Sequence, residues 1–256
     1  MFCWFTVLVV GPNPMSSSSS ILAPVWCVVP AAGVGARMKA GFPKQYLKLQ
    51  HKTILEHTLE RLLALPYVAG VVLALHPDDD YWTTLPISRD QRISCVDGAV
   101  ERAGSVLNSL TWLEDNGHSD AWVLVHDAAR PCVTSDTVAN LIESVRRSDA
   151  VGGILGVPVS DTLKQVVNDN RITGTQDRSK LWQAQTPQFF SVGLLKRALQ
   201  QALDVGLMVT DEASAMEFAG HQPLMVEGRA DNIKVTRPED LPLATFILQQ
   251  QALERG

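Results

Sequence analysis

Apolar residues along this chain fall into two kinds of run. The first kind is short and continuous. Val25-Trp-Cys-Val-Val29, Val68 to Leu75, Ile93 to Val96, Ala121 to His126 and Gly152 to Val159 have the length of buried strands. The second kind recurs at helical spacing. Leu55, Leu59, Leu62 and Leu63 share one face behind the capping box Thr53-Ile-Leu-Glu56, and this helix ends before Pro66. Val106, Leu107, Leu110 and Leu113 mark a helix from Glu101 to Leu113, and Thr134 to Arg147 reads as another. His76-Pro-Asp-Asp-Asp80 is a loop. The order β, α, β, β, α, β, α predicts an α/β fold with a mostly parallel sheet and helices on both faces.

The pattern changes after Gly152 to Val159. From Ser160 to Trp182 it is polar and turn-rich, with short β pieces at Thr162 to Val167 and Arg171 to Thr175 around Asn168-Asp-Asn170. This predicts a protruding β-arm over about residues 158–183. Such an arm covers a site, grips a neighbouring subunit, or is a plain surface hairpin. Ser191 to Leu203 and Thr210 to about Ala219 then read as helices, Pro223 to Glu227 and Ile233 to Thr236 as strands. Pro238 to Gln251 reads as a closing helix with proline in its first turn. No repeat or linker interrupts residues 23–256, which read as one domain with an arm.

Composition narrows the function. A chain of 256 residues with 46% hydrophobic and 19% charged residues is not disordered. Its net charge of −5 excludes a general nucleic-acid or anionic-membrane binder, so any phosphate site must be a local gathering of cations. No apolar run has the length of a membrane helix. Cys3, Cys27, Cys95 and Cys132 form no CxxC and have no histidine at metal-site spacing, which fits scattered buried thiols in a reducing cytoplasm. Residues 1–22 differ from the rest. The apolar stretch Phe2 to Val10 lacks the basic flank and cleavage site of a signal peptide, and Ser16 to Ser20 is a serine run. The segment reads as a disordered or non-native extension, with Met15 opening the true protein.

Three segments carry candidate chemistry. In Pro30-Ala-Ala-Gly-Val-Gly-Ala-Arg-Met38 a loop with Gly33 and Gly35 follows a buried strand, where backbone N–H groups can cradle phosphate. It is neither a Walker loop nor a dinucleotide fingerprint, because position 38 is Met and no third glycine is present. Arg37 and Lys44, seven apart, supply the cations a triphosphate needs. The second segment is Val125-His-Asp-Ala-Ala-Arg130. A carboxylate at the end of a buried strand needs a cation, so Asp127 either holds Mg2+ or pairs with Arg130. The third is Glu227 to Thr236, where Asp231 offers a carboxylate and Lys234 a phosphate clamp. His51, His57 and His126 read as surface or helix residues without chemistry.

These segments together resemble the 2-C-methyl-D-erythritol 4-phosphate cytidylyltransferase family of the non-mevalonate isoprenoid pathway. PAAGVGARM, PKQY, TILEHTLERLL, ERAGSVLNSL, VLVHDAARP, VSDTLKQV, LWQAQTPQFF, TDEASAMEFAG and VEGRADNIKVTRPEDL carry the resemblance in order, from about Val25 to the last helix. It implies a Rossmann-like nucleotidyltransferase that joins CTP to the methylerythritol phosphate with Mg2+. It places Pro30, Ala31, Ala32, Gly33, Gly35, Ser105 and Ala128 at the nucleotide, and Arg37 and Lys44 on its phosphates. Asp127, with Asp231 close by, falls to the metal, and Lys234 to the reacting phosphate. Arg130, Thr186, Thr210 and Thr236 fall on the substrate side. Thr162 and Arg178 match arm residues that grip the sugar phosphate from the other subunit of a homodimer. Ala99-Val100 stands where some relatives have Gly-Asp, which implies that backbone groups read the base.

Two other readings compete. A cytidylyltransferase for another polyol phosphate, such as ribitol 5-phosphate, would keep the loop, Asp127 and Lys234 and change the arm. A dinucleotide-binding oxidoreductase would need the third glycine and an acidic ribose ligand after its second strand. A non-enzymatic binding module would leave Asp127 and the converging cations unexplained.

Overall fold

A computed structural model describes residues 25–33 and 42–254. The N-terminal extension, Met15, Cys3 and loop residues 34–41 lie outside the described residues. Six helices and eleven strands are described. In chain order they are β1 (Val25–Pro30), β2 (Lys48–Leu49), β3 (Lys52–Thr53), α1 (Ile54–Leu63), β4 (Val68–Leu75), β5 (Ile93–Asp97), α2 (Arg102–Asp115), β6 (Trp122–Val125) and α3 (Ser135–Arg147). There follow β7 (Gly152–Pro158), β8 (Leu163–Val166), β9 (Ile172–Gln176), β10 (Trp182–Ser191), α4 (Val192–Asp204), α5 (Glu212–Phe218), β11 (Leu224–Glu227) and α6 (Asp240–Leu253).

Seven strands form one sheet in the order β11-β7-β10-β6-β1-β4-β5. Only β10 runs against its neighbours; the other described pairs of this sheet are parallel. Strand alternation explains why both faces are covered. In β1, Cys27 and Val29 face one core while Val28 faces the other. Leu73 and Val72 divide β4 in the same way. Leu55, Leu59 and Leu62 of α1 and Val138, Leu141 and Val145 of α3 complete the first core. Val106 and Leu110 of α2, Leu195 and Leu199 of α4 and Met216 of α5 complete the second. Thr53 caps α1, accepting from the Glu56 N–H while the Glu56 carboxylate accepts from the Thr53 N–H. The capping box thus forms as the sequence requires.

Strand order decides where a ligand fits. From β1 the chain moves outward to β4 and β5, then returns to place β6 on the other side of β1. The order reverses between β1 and β6, so a crevice opens at their carboxyl ends. Ala31 to Gly33 follows one of these ends and Asp127 the other.

Four points of the sequence reading need correction. Ile233 to Thr236 is not a strand. Its surroundings use the backbone differently: Lys44 Nζ donates to the Val235 carbonyl at 3.1 Å, and Arg130 Nη1 donates to the Asn232 carbonyl at 2.7 Å. The closing helix starts at Asp240, because the Asp240 carboxylate accepts from the N–H groups of Thr236 and Arg237 and closes a turn around Pro238. The long strand β10 was hidden in the sequence by Pro187, which normally marks an edge or a break. Pro187 falls at the register shift between Ala184 and Gln188, where no ladder bond is required. Among the cysteines, Cys27 and Cys132 are buried but Cys95 is exposed. It lies on β5, the edge strand.

The arm forms as expected, as the two-stranded sheet β8-β9. Val166, Val167 and Ile172 on it are exposed.

Strand β10 anchors both cores through adjacent side chains. Phe189 is fully buried in the first and stacks on Trp122 at 4.6 Å, while Phe190 is fully buried in the second. Replacing either with Ala is expected to cost about 3–5 kcal/mol in urea unfolding, because each leaves a cavity in a different face.

Candidate active site

The centre of the crevice is Asp127, which is 7% exposed. Its backbone N–H donates to Thr186 Oγ1 at 3.0 Å, so β10 fixes where the carboxylate starts. Arg102 Nε donates to Oδ1 at 2.9 Å, Lys234 Nζ lies 2.8 Å from Oδ2, and Arg130 Nε lies 3.6 Å from Oδ2. Burial would raise the pKa of this carboxyl, but Arg102, Lys234 and Arg130 outweigh it and hold it well below the usual carboxylate range. The sequence alternative of a salt bridge between Asp127 and Arg130 is thus the longest of three contacts.

One cleft joins this centre to the glycine loop. Pro30 to Gly33, Lys44, Ala99, Val100, Arg102, Ser105, Asp127, Ala128 and Lys234 line it. Gln45 Nε2 donates to the Ala31 carbonyl at 2.6 Å and ties the Pro43-Lys44-Gln45 segment to the end of β1. Ser105 Oγ accepts from the Ala99 N–H at 2.9 Å, so its hydroxyl shapes the loop. Gly98 is required here, since a Cβ would stand 2.3 Å from that of Ala32. A second cleft shares Arg102, Asp127 and Lys234, and adds Arg130, Thr186 and Thr210.

Not every sequence candidate turns to this centre. The Asp231 carboxylate accepts from Arg229 at 2.7 and 2.9 Å and from Gln251 of α6 at 3.1 Å, and it lines neither cleft of Asp127. The Thr236 hydroxyl donates to Asp240 at the start of α6. Thr186 is buried, holding Asp127 and contacting His126 Nδ1 at 3.0 Å. Thr162 and Arg178 are exposed on the arm and line neither cleft of Asp127. Gly35 and Arg37 lie outside the described residues. A larger groove of about 790 Å3 between α1, α3 and α6 mixes Glu60, Asp136, Glu227 and Glu254 with Arg61 and Arg229, a poor setting for phosphate.

Among the described residues no three His, Cys, Asp or Glu side chains gather as an all-protein metal site requires. A magnesium ion needs less, often one carboxylate together with phosphate oxygens. Asp127 fits that role. The Lys234 side chain beside Oδ2 is 40% exposed and so has room to move aside.

Known proteins resemble this chain over most of its length. A family model described as IspD, 2-C-methyl-D-erythritol 4-phosphate cytidylyltransferase, matches residues 25–250. The chain belongs to that family. A cytidylyltransferase of this name from Mannheimia succiniciproducens is 53% identical over 89% of the chain and 97% of its own length. One from Pseudomonas syringae pv. tomato is 53% identical over 87% of the chain and 94% of its own. The crystal structure of the Francisella tularensis cytidylyltransferase aligns with a TM-score of 0.77 at 36% identity, over 88% of the chain and all of its own. The chain is accordingly a nucleotidyltransferase with the Rossmann-like fold of this family.

Sequence reasoning missed Arg102, Glu212 and His126. A signal for Arg102 existed: it opens a helix, where the dipole disfavours a cation, so its position calls for carboxylates nearby. His126, read as a surface or helix residue, is fully buried, with Nε2 3.0 Å from the Arg130 carbonyl. Burial, opposed by that bond and by the Asp127 charge, pushes its pKa down to about 4. A buried neutral histidine stabilises the fold above the unfolded pKa near 6.5, and that stability is lost as pH falls toward 4. Thermal unfolding from pH 7 to pH 4 should show a loss of about 3 kcal/mol attributable to this group. A His126→Asn variant should show a flatter profile over the same window.

Proposed function

We propose that this enzyme transfers the cytidylyl group of CTP to 2-C-methyl-D-erythritol 4-phosphate and releases pyrophosphate. The observation that carries the reading is the buried Asp127, ringed by Arg102, Arg130 and Lys234 where the cleft from the glycine loop meets the second cleft. Family membership over residues 25–250 supports the choice of substrates.

The nucleophile is an oxygen of the sugar phosphate, already anionic near neutral pH, so no general base is needed. It attacks the α-phosphorus in line as the bond to the β-phosphate breaks. The difficulty is charge, since roughly −4 on CTP must meet about −2 on the sugar phosphate. Lys44 and Arg37 hold the triphosphate. Lys234 leaves Asp127 for the reacting phosphate, and Arg130 faces the sugar phosphate. Asp127 would hold a magnesium ion, which would supply further charge neutralisation. Ala31 to Gly33 and Ala99 present backbone groups to cytosine, with Ser105 fixing the loop. Thr210 lies on the sugar-phosphate side, and Asp231 and Thr236 support the loop and helix behind Lys234.

The arm completes the site of a second copy, so the working enzyme is a homodimer. Thr162 and Arg178 then serve the neighbouring sugar phosphate, which agrees with their exposure and their distance from the clefts of their own chain. Among the described residues, Cys27, Cys95 and Cys132 are free thiols, which fits a reducing cytoplasm. Residues 1–22 take no part in the chemistry.

Pyrophosphate release with four nucleotides and with methylerythritol 4-phosphate or ribitol 5-phosphate tests the reading; turnover should require CTP and the methylerythritol compound. Faster turnover with ribitol 5-phosphate would move the assignment to the other polyol. Lys44→Ala and Lys234→Ala should each lower turnover about a hundredfold, as expected for losing one transition-state donor. Arg178→Ala should mainly raise KM for the sugar phosphate, and a fully active monomer would overturn the shared arm.

A further inference from the structure

Arg102 and Glu212 come from helices 110 residues apart in sequence, and neither is explained by packing alone. Glu212 is the first residue of α5 and is 1% exposed. A carboxylate buried so far requires a cation with good geometry. Arg102 provides it in a two-pronged contact, Nη1 to Oε1 at 2.7 Å and Nη2 to Oε2 at 3.1 Å. Its remaining edge nitrogen, Nε, donates to Asp127 Oδ1 at 2.9 Å. One planar guanidinium therefore serves two carboxylates at once, which a lysine could not do with the same directionality.

The frame around this pair is itself fixed. Gln188 of β10 donates to Asp211 at 2.9 Å, and its carbonyl oxygen accepts from the Ala213 N–H at 2.9 Å. Those bonds seat the first turn of α5 on the sheet, with Glu212 between them in sequence. The same strand holds the Asp127 backbone through Thr186. Both ends of the Glu212–Arg102–Asp127 chain thus rest on β10.

The two oxygens of Asp127 are unequal as a result. Oδ1 faces a guanidinium locked by Glu212. Oδ2 faces Lys234, whose side chain is 40% exposed, against 26% for Arg102. We propose that Glu212 and Arg102 are a positioning pair that fixes Asp127 by Oδ1 and keeps Oδ2 for an exchangeable cation. In the structure that cation is Lys234. Asp127 Oδ2 would hold a divalent ion in exchange for Lys234, and Lys234 would then face phosphate. Arg102 stays where it is, as a fixed charge in the wall common to the two clefts.

This inference rests on the cytidylyltransferase reading but is tested separately from it. Wild-type turnover with CTP and the sugar phosphate judges the reading. The pair is judged by Mn2+ affinity in the presence of saturating CTP, measured by water-proton relaxation, with kcat and Tm alongside. The informative variant is the double change Arg102→Met with Glu212→Leu. It removes one charge of each sign, so the net charge beside Asp127 is unchanged, and Lys234 and Arg130 still face the carboxylate. The expected result is a variant that still unfolds cooperatively, with a lower Tm because Asp127 Oδ1 loses its donor, and with Mn2+ affinity and kcat each lowered about tenfold to a hundredfold, the range for removing a residue that orients a ligand. Should the double variant not fold, Arg102→Lys, which also keeps the charge, is held to the same criterion. Mn2+ affinity within twofold of wild type in the folded variant would overturn the proposal, whatever kcat does, because a merely structural pair leaves the ion site unmoved.

Discussion

Asp127 carries a charge almost out of water at the end of a buried strand, and such a charge is stable only while cations face it. Much of the site follows from that constraint. Arg102 comes from the start of α2, Arg130 from the loop after β6 and Lys234 from the segment before α6. Three distant parts of the chain are drawn to one carboxylate. The local charge is therefore positive on a chain whose net charge is −5, which is what two phosphorylated substrates require.

Polar bonds then hold the segments that bring these cations in. Asn232 donates to the Thr186 carbonyl at 2.9 Å and Arg130 donates to the Asn232 carbonyl, so the loop bearing Lys234 is tied to β10 and to the Asp127 loop together. Lys44 reaches the same loop at Val235. Buried polar networks of this kind are costly when incomplete and rigid when complete. Their placement at the reversal of strand order is consistent with catalysis by positioning and electrostatics, with no covalent intermediate.

The sequence made most of the framework legible. Continuous apolar runs marked β1, β4, β5, β6 and β7, and the capping box marked α1, because strand burial and helix capping are local properties. It missed β10, where Pro187 argued against a strand that a register shift permits. It misread Ile233 to Thr236, whose apolar residues look β-like although the Val235 and Asn232 carbonyls accept from Lys44 and Arg130.

The site divides along the same line. Residue type and motif order singled out the glycine loop, Lys44, Asp127 and Lys234, since a phosphate site needs glycine backbone, cations and a carboxylate at strand ends, and the family resemblance added Arg130. Tertiary structure decided their partners. It set Asp231 against Arg229 and Gln251, spent the Thr186 hydroxyl on Asp127 and His126, and brought Arg102 and Glu212 to the centre. Those contacts span tens of residues in sequence, and no spacing rule predicts them. They arise because buried charges must find each other across the folded sheet, and only the folded sheet says which ones can meet.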